Sequence, residues 1–133
     1  MFMQNRTVNY IADTNIISRY FSGRDEETKI LVSKLGLNKM GISVVSKFEL
    51  RFWISNFLIC DKAERVKIIK LINSLPVVHL STLSSKLAEE MTDTNINAKL
   101  ADSLIAATCM EFNLPLLTLN KKDFQKISGL SLI

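Results

Sequence analysis

The sequence is poor in the residues that most often announce a chemistry: one histidine, two cysteines, two prolines and four glycines among 133 residues. A single histidine rules out the histidine sets of zinc and copper sites. His79 lies in Val77-Val78-His79-Leu80, an apolar run, where a structural role at a strand end is expected rather than that of a general base. Cys60 and Cys109 have neither metal-motif spacing nor the density of a secreted disulfide scaffold, and both read as reduced thiols in or near the core. Gly23, Gly36, Gly41 and Gly129 are scattered, so there is no glycine-rich phosphate loop. No run approaches the ~20 apolar residues of a membrane helix. The opening MFMQNRTVNYIADTN has no apolar stretch of signal-peptide length. These absences predict a cytoplasmic chain without a membrane partner, and any metal site should use oxygen ligands.

What is present is ordinary in amount. Hydrophobic residues make up 47% and charged residues 23%, which excludes intrinsic disorder. The length suits one domain, expected to span residues 1–133. Seventeen Lys plus Arg against 13 Asp plus Glu leave a formal charge of +4. So mild an excess admits a polyanionic partner without identifying one.

Short apolar runs rich in strand formers occur at Val8–Ala12, Met40–Ser43, Val77–Leu80 and Leu116–Leu119, with a further candidate at Leu130–Ile133. Helical patterns alternate with them: Ile16–Phe21, Asp25–Leu35, a long helix opened by Ser46, another opened by Asp61 and closed by Pro76, one capped by Ser81, and one over about Ala98–Phe112. This alternation predicts an α/β domain with a central, mainly parallel sheet of four to five strands. In such sheets, sites form where the carboxyl ends of strands meet the following loops.

Acidic residues stand at those places. Asp13 ends the first run, Glu49 lies one turn into the helix after the second, Asp102 sits inside the long C-terminal helix, and Asp123 follows Leu116–Leu119. Each also has a structural explanation. Asp13 in Asp-Thr-Asn suits a helix N-cap, and Ser46-Lys47-Phe48-Glu49 fits a capping box. Asp102 shares a helical face with Ile105, Ala106 and Cys109, where a carboxylate is costly unless paired or bound to a metal. Asp123 resembles an ordinary solvated loop charge. Gathered on one edge, however, the four would repel one another and call for a hard cation, Mg²⁺ or Mn²⁺.

Four segments, in order, carry a family resemblance: Ile11-Ala12-Asp13-Thr14-Asn15, Ile42-Ser43-Val44-Val45-Ser46-Lys47-Phe48-Glu49-Leu50, Ala101-Asp102-Ser103-Leu104-Ile105-Ala106-Ala107-Thr108, and Leu116-Leu117-Thr118-Leu119-Asn120-Lys121-Lys122-Asp123-Phe124. Together they resemble the four motifs of PIN-domain ribonucleases, most closely the VapC toxins of type II toxin–antitoxin pairs. The resemblance implies a three-layer α/β/α fold and a Mg²⁺- or Mn²⁺-dependent endoribonuclease. Its acidic core would be Asp13, Glu49 and Asp102 as metal ligands, with Asp123 as the fourth acid and Asn120 as its polar companion. Thr14, Asn15, Ser46 and Thr118 would orient the carboxylates. It further implies a homodimer, a VapB-like antitoxin partner, and tRNA or ribosomal RNA as substrate, cut by an activated water to leave 5′-phosphate and 3′-hydroxyl ends. A PIN module that only binds RNA or protein, and a PIN nuclease acting on DNA or in RNA processing, are the alternatives. One departure is visible: Thr94-Asn95-Ile96-Asn97-Ala98-Lys99-Leu100 lacks the expected glycine and reads as more continuous helix.

Two further groups have two readings each. Phe48, Phe52, Trp53 and Phe57 are either one side of a core helix or a partner surface. Lys62, Arg65, Lys67 and Lys70 are either a solvated face or an RNA contact.

Overall fold

Four short strands carry the architecture. In the computed structural model, which describes residues 7–23, 25–58, 60–94 and 99–133, they are β1 (Tyr10–Ala12), β2 (Met40–Ser43), β3 (Val77–Val78) and β4 (Leu116–Leu117). All are parallel, in the order β3-β2-β1-β4, with Ile11 opposite both Gly41 and Leu116, and Ile42 opposite Val77. Helices α1 (Thr14–Ser22) and α2 (Glu26–Leu35) join β1 to β2, and α3 (Val44–Asn56) and α4 (Lys62–Asn73) join β2 to β3. Helices α5 (Thr82–Thr94) and α6 (Leu100–Glu111) lead to β4, and α7 (Lys121–Phe124) follows it.

The two-residue period of the strands sorts the core into two layers. Tyr10, Ala12, Met40, Ile42 and Leu117 face Ile16, Ile17, Val32, Leu50, Ile54, Ile68 and Ile72 of α1–α4. Ile11 and Leu116 face Ala88, Ile105, Ala106, Cys109 and Phe124 of α5–α7. The result is the expected α/β/α sandwich around a parallel sheet. Gly41 is required where β2 meets the chain entering β1, because a Cβ there would lie 2.7 Å from a Val8 methyl. Asp25 and Asp61 cap α2 and α4, accepting from the N–H groups of Thr28 and Glu64, and Gly23 closes α1 at φ 71°. Cys109 is buried and Cys60 half-buried; burial pushes the Cys109 thiol up to about 12.

Several expectations need correction. Helix α3 starts at Val44, not Ser46. Its cap is Ser43, whose hydroxyl accepts from Ser46 N–H, so no capping box joins Ser46 to Glu49. Both serines suit an N-cap locally; the choice is made by β2, which ends at Ser43 and turns straight into the helix. The final strand reduces to a parallel bridge between Leu132 and Leu116. The helical continuity expected over Thr94–Leu100 falls at 95–98, outside the described residues. The aromatic series divides: Trp53 packs on the core, whereas Phe48, Phe52 and Phe57 are 62–70% exposed. The basic row of α4 is not a uniform face either, since the Arg65 guanidinium donates to the carbonyls of Ile54 and Leu58, ending α3.

Candidate functional site

The chain leaves β1 towards α1 on one face of the sheet, and leaves β4 towards α7 on the other. Neighbouring strand ends that diverge in this way open a crevice at their carboxyl edge. Asp13 follows β1 at that point. Its N–H donates to Leu117 O at 2.9 Å, which ties it to β4, and its side chain caps α1. The carboxylate is 5% exposed and accepts two hydrogen bonds, from Thr14 N at 2.8 Å and from Thr118 Oγ1 at 2.9 Å. Asp13 is therefore both a helix cap and a buried acid in the crevice.

A second arm reaches the crevice from β2 and α3. Thr14 Oγ1 lies 2.5 Å from Glu49 Oε1 and 3.0 Å from Ser46 Oγ, which lies 3.3 Å from Ser43 Oγ. A hydroxyl has one proton. Once Thr14 gives its proton to the carboxylate, Ser46 must donate to Thr14 and Ser43 to Ser46. The hydroxyl path Ser43–Ser46–Thr14 thus ends on Glu49 and fixes where that carboxylate points. Ser43 was not foreseen as part of the site, although a serine closing a strand before a helix is the signal that could have found it.

Thr118, buried at the end of β4, links the first arm to α7. Its oxygen accepts Asn120 N–H at 2.9 Å while its proton goes to Asp13. Asn120 Nδ2 donates to Asp123 Oδ2 at 2.6 Å. Asp123 itself is exposed. Asp102, in the first turn of α6, is half-buried, and among the described residues it has no hydrogen-bond or ion-pair partner. Asn15 is exposed, and its side chain makes no hydrogen bond among the described residues. His79 is exposed at the end of β3.

Burial pushes the Asp13 carboxyl up most; the hydrogen bonds from Thr118 and Thr14 oppose this, and the charge of Glu49 adds to it. The Asp102 carboxyl is raised by burial first, then by Asp13, with Lys99 opposing and with Asp123 and Glu49 adding. Asp13 therefore senses Glu49, and Asp102 senses Asp13, Asp123 and Glu49, across the crevice. Among the described residues, no three His, Cys, Asp or Glu side chains are already gathered tightly enough to hold a metal ion. The donor chemistry nonetheless fits a hard cation. All the donors are oxygens, two of them belong to acids destabilised by burial and mutual repulsion, and a divalent charge would offset both effects.

Residues 10–130 match the family model described as PIN domain. No curated protein matches the sequence at a significant level. Among solved structures, the chain is similar to VapBC2 from Rickettsia felis bound to a DNA fragment from its promoter, at 22% identity and TM-score 0.75, covering 93% of this chain and 96% of that one. It is similar to DNA-bound VapBC from Salmonella typhimurium, at 18% identity and TM-score 0.78, covering 96% and 98%. It also resembles VapBC-1 from nontypeable Haemophilus influenzae, at 23% identity and TM-score 0.74, covering 93% and 96%. At these identities the likeness is one of fold.

Proposed function

The chain belongs to the PIN-domain family, and on that premise we propose that it is a divalent-metal-dependent endoribonuclease, the toxin of a VapBC-type toxin–antitoxin pair. The observation that carries this reading is the crevice at the end of β1, where Asp13 and Asp102 are made harder to ionise by burial and by neighbouring acids, Glu49 for Asp13 and Asp13, Asp123 and Glu49 for Asp102. Asp13, Glu49 and Asp102 would hold Mg²⁺ or Mn²⁺, with Asp123 as the outer acid. When bound, the cation supplies Lewis acidity, neutralising phosphodiester charge and making water more acidic. Thr118 and Thr14 N–H hold the Asp13 carboxylate at a fixed angle, and the Ser43–Ser46–Thr14 path holds Glu49. Asn120 Nδ2 holds Asp123 Oδ2 within the first turn of α7. Preset carboxylates spare the reaction a reorganisation cost.

Partners follow from the same reading. The structures it resembles are VapBC assemblies, which supports a VapB-like antitoxin. Phe48, Phe52 and Phe57, exposed along α3 and its end, support a second copy of the chain as a further partner. No helix among the described residues is long and apolar enough to cross a membrane, and cytoplasmic RNA, tRNA or ribosomal, is the proposed substrate. The test is digestion of total tRNA with Mg²⁺. Wild type should leave 5′-phosphate ends, Asp13→Asn should leave the RNA intact while folded, and unchanged cleavage by that variant would sink the assignment. A parallel digestion of single-stranded DNA separates a DNA-acting nuclease, and RNA binding without turnover identifies a non-catalytic module.

A further inference from the structure

The acidic crevice poses an electrostatic problem for a polyanionic substrate, and the basic row of α4 is poorly placed to solve it. Arg65 is spent on the end of α3, and Lys67 lines, with Glu64, Tyr20 and Leu71, a cavity of about 410 Å³ against α1 and α2. The ion pairs among the described residues, Arg19–Asp25 and Lys29–Glu26, also belong to α1 and α2.

The lysines around the crevice are different. Lys99 is the residue from which α6 starts, one turn before Asp102; it is exposed and its side chain makes no cap bond. Lys121 and Lys122 open α7 directly after Asn120, whose N–H is held by the same Thr118 hydroxyl that holds Asp13. Both are exposed, and among the described residues none of the three has an ion-pair partner. The two short linkages, Lys99 to Asp102 along α6 and Lys121 to Asp13 through Asn120 and Thr118, set exposed lysines at the starts of the two helices that carry Asp102 and Asp123. Lys99 is also the cation whose charge Asp102 feels.

We infer that Lys99, Lys121 and Lys122 hold the phosphates flanking the scissile bond of an RNA strand, an assignment that rests on the nuclease reading above. Unpaired, exposed ammonium groups contribute little to the fold. Beside a site that repels phosphate, they offset the repulsion and release counterions when the strand binds. Their contribution is to ground-state binding, so it appears in KM and in salt dependence rather than in kcat.

The experiment measures binding of a labelled single-stranded oligoribonucleotide by fluorescence anisotropy across a salt series, using the full chain carrying Asp13→Asn to prevent turnover. Adding K99A, K121A and K122A should weaken binding about tenfold or more near 0.1 M salt and lower the slope of log affinity against log salt by about 2, at about 0.7 per contact. K62A with K70A on α4 should leave the slope unchanged. In the cleavage-competent chain, the triple variant should raise KM with kcat and melting temperature preserved. A triple variant with the parent's slope and KM, or an equal loss from the α4 pair, overturns the assignment while cleavage by the parent keeps the nuclease reading. A parent that neither binds nor cuts RNA overturns both.

Discussion

Replacing Asp13 by asparagine should stabilise the metal-free protein, a gain opposite in sign to the loss of function. Asparagine keeps Oδ1, which can still accept Thr14 N–H, but puts an NH₂ where Oδ2 received the Thr118 proton. Thr118 can accept that new donor on its second lone pair, since its first already takes Asn120 N–H. Two charge-assisted bonds become neutral ones and the buried Thr118 proton loses its acceptor, a loss of about 2–4 kcal/mol in total. Against this, a carboxylate only 5% exposed no longer has to be held charged away from water, a penalty of several kcal/mol per buried ion. Burial outweighs the hydrogen bonds in setting the Asp13 carboxyl above its ordinary value, so the balance favours the neutral side chain. The net gain should be small, about 1 kcal/mol, or roughly 3–5 °C for a chain of this size.

The sign with pH follows from the direction of that shift. Below the unfolded value of about 4, both states are protonated and the penalty is absent; it grows as pH rises from there towards the raised folded value and is full above it. The difference between wild type and Asp13→Asn should therefore close in acid. With Mg²⁺ the order should invert, because wild type gains about 2.7 kcal/mol at a hundredfold excess over Kd and the variant far less. Thermal melts in EDTA and in MgCl₂, at neutral pH and near pH 4, read all of this. A variant less stable than wild type in EDTA, or an equal Mg²⁺ shift in both proteins, would refute the reasoning.

Three other outcomes follow from particular contacts. Thr14→Val should lower kcat about 10–100-fold by freeing the Glu49 carboxylate, and Thr14→Ser should restore most of it in the same tRNA assay. Arg65→Met should cost about 2–3 kcal/mol, seen as a lower urea midpoint, because two carbonyls at the end of α3 lose a charged donor. The Glu111 carboxyl is held below its usual range by the Ser81 side chain first and then by Ser84, which it ties to the start of α5. Its stabilisation is present above the unfolded value and lost as pH falls through the folded one, so Glu111→Gln should flatten acid unfolding below about pH 4.

Much of this molecule is local and could be read directly from the sequence. Asp25, Asp61 and Gly23 bound their helices through contacts within one turn, and the alternation of Tyr10, Ile11 and Ala12 sends side chains to opposite faces whatever the sheet order. Asp13 and Asp123 were visible as acids following strand runs, and Glu49 and Asp102 as acids within helical runs, for the same reason. Local pattern could not choose between Ser43 and Ser46 as the cap of α3, because both satisfy the same short-range rule. Nor could it tell that Trp53 is packed while Phe48 and Phe52 on the same helix are exposed, or that Arg65 serves α3 rather than a partner. The joining of Asp13 to Thr118, 105 residues apart, and of Thr14 to Glu49, 35 apart, depends on β4 pairing with β1 on one side and β2 on the other. Backbone pairing is indifferent to side-chain identity, so this order is selected by burial summed over both helical layers. Sequence determined which residues carry charge and where each local element begins or ends; only the tertiary structure decided which of those charges face one another.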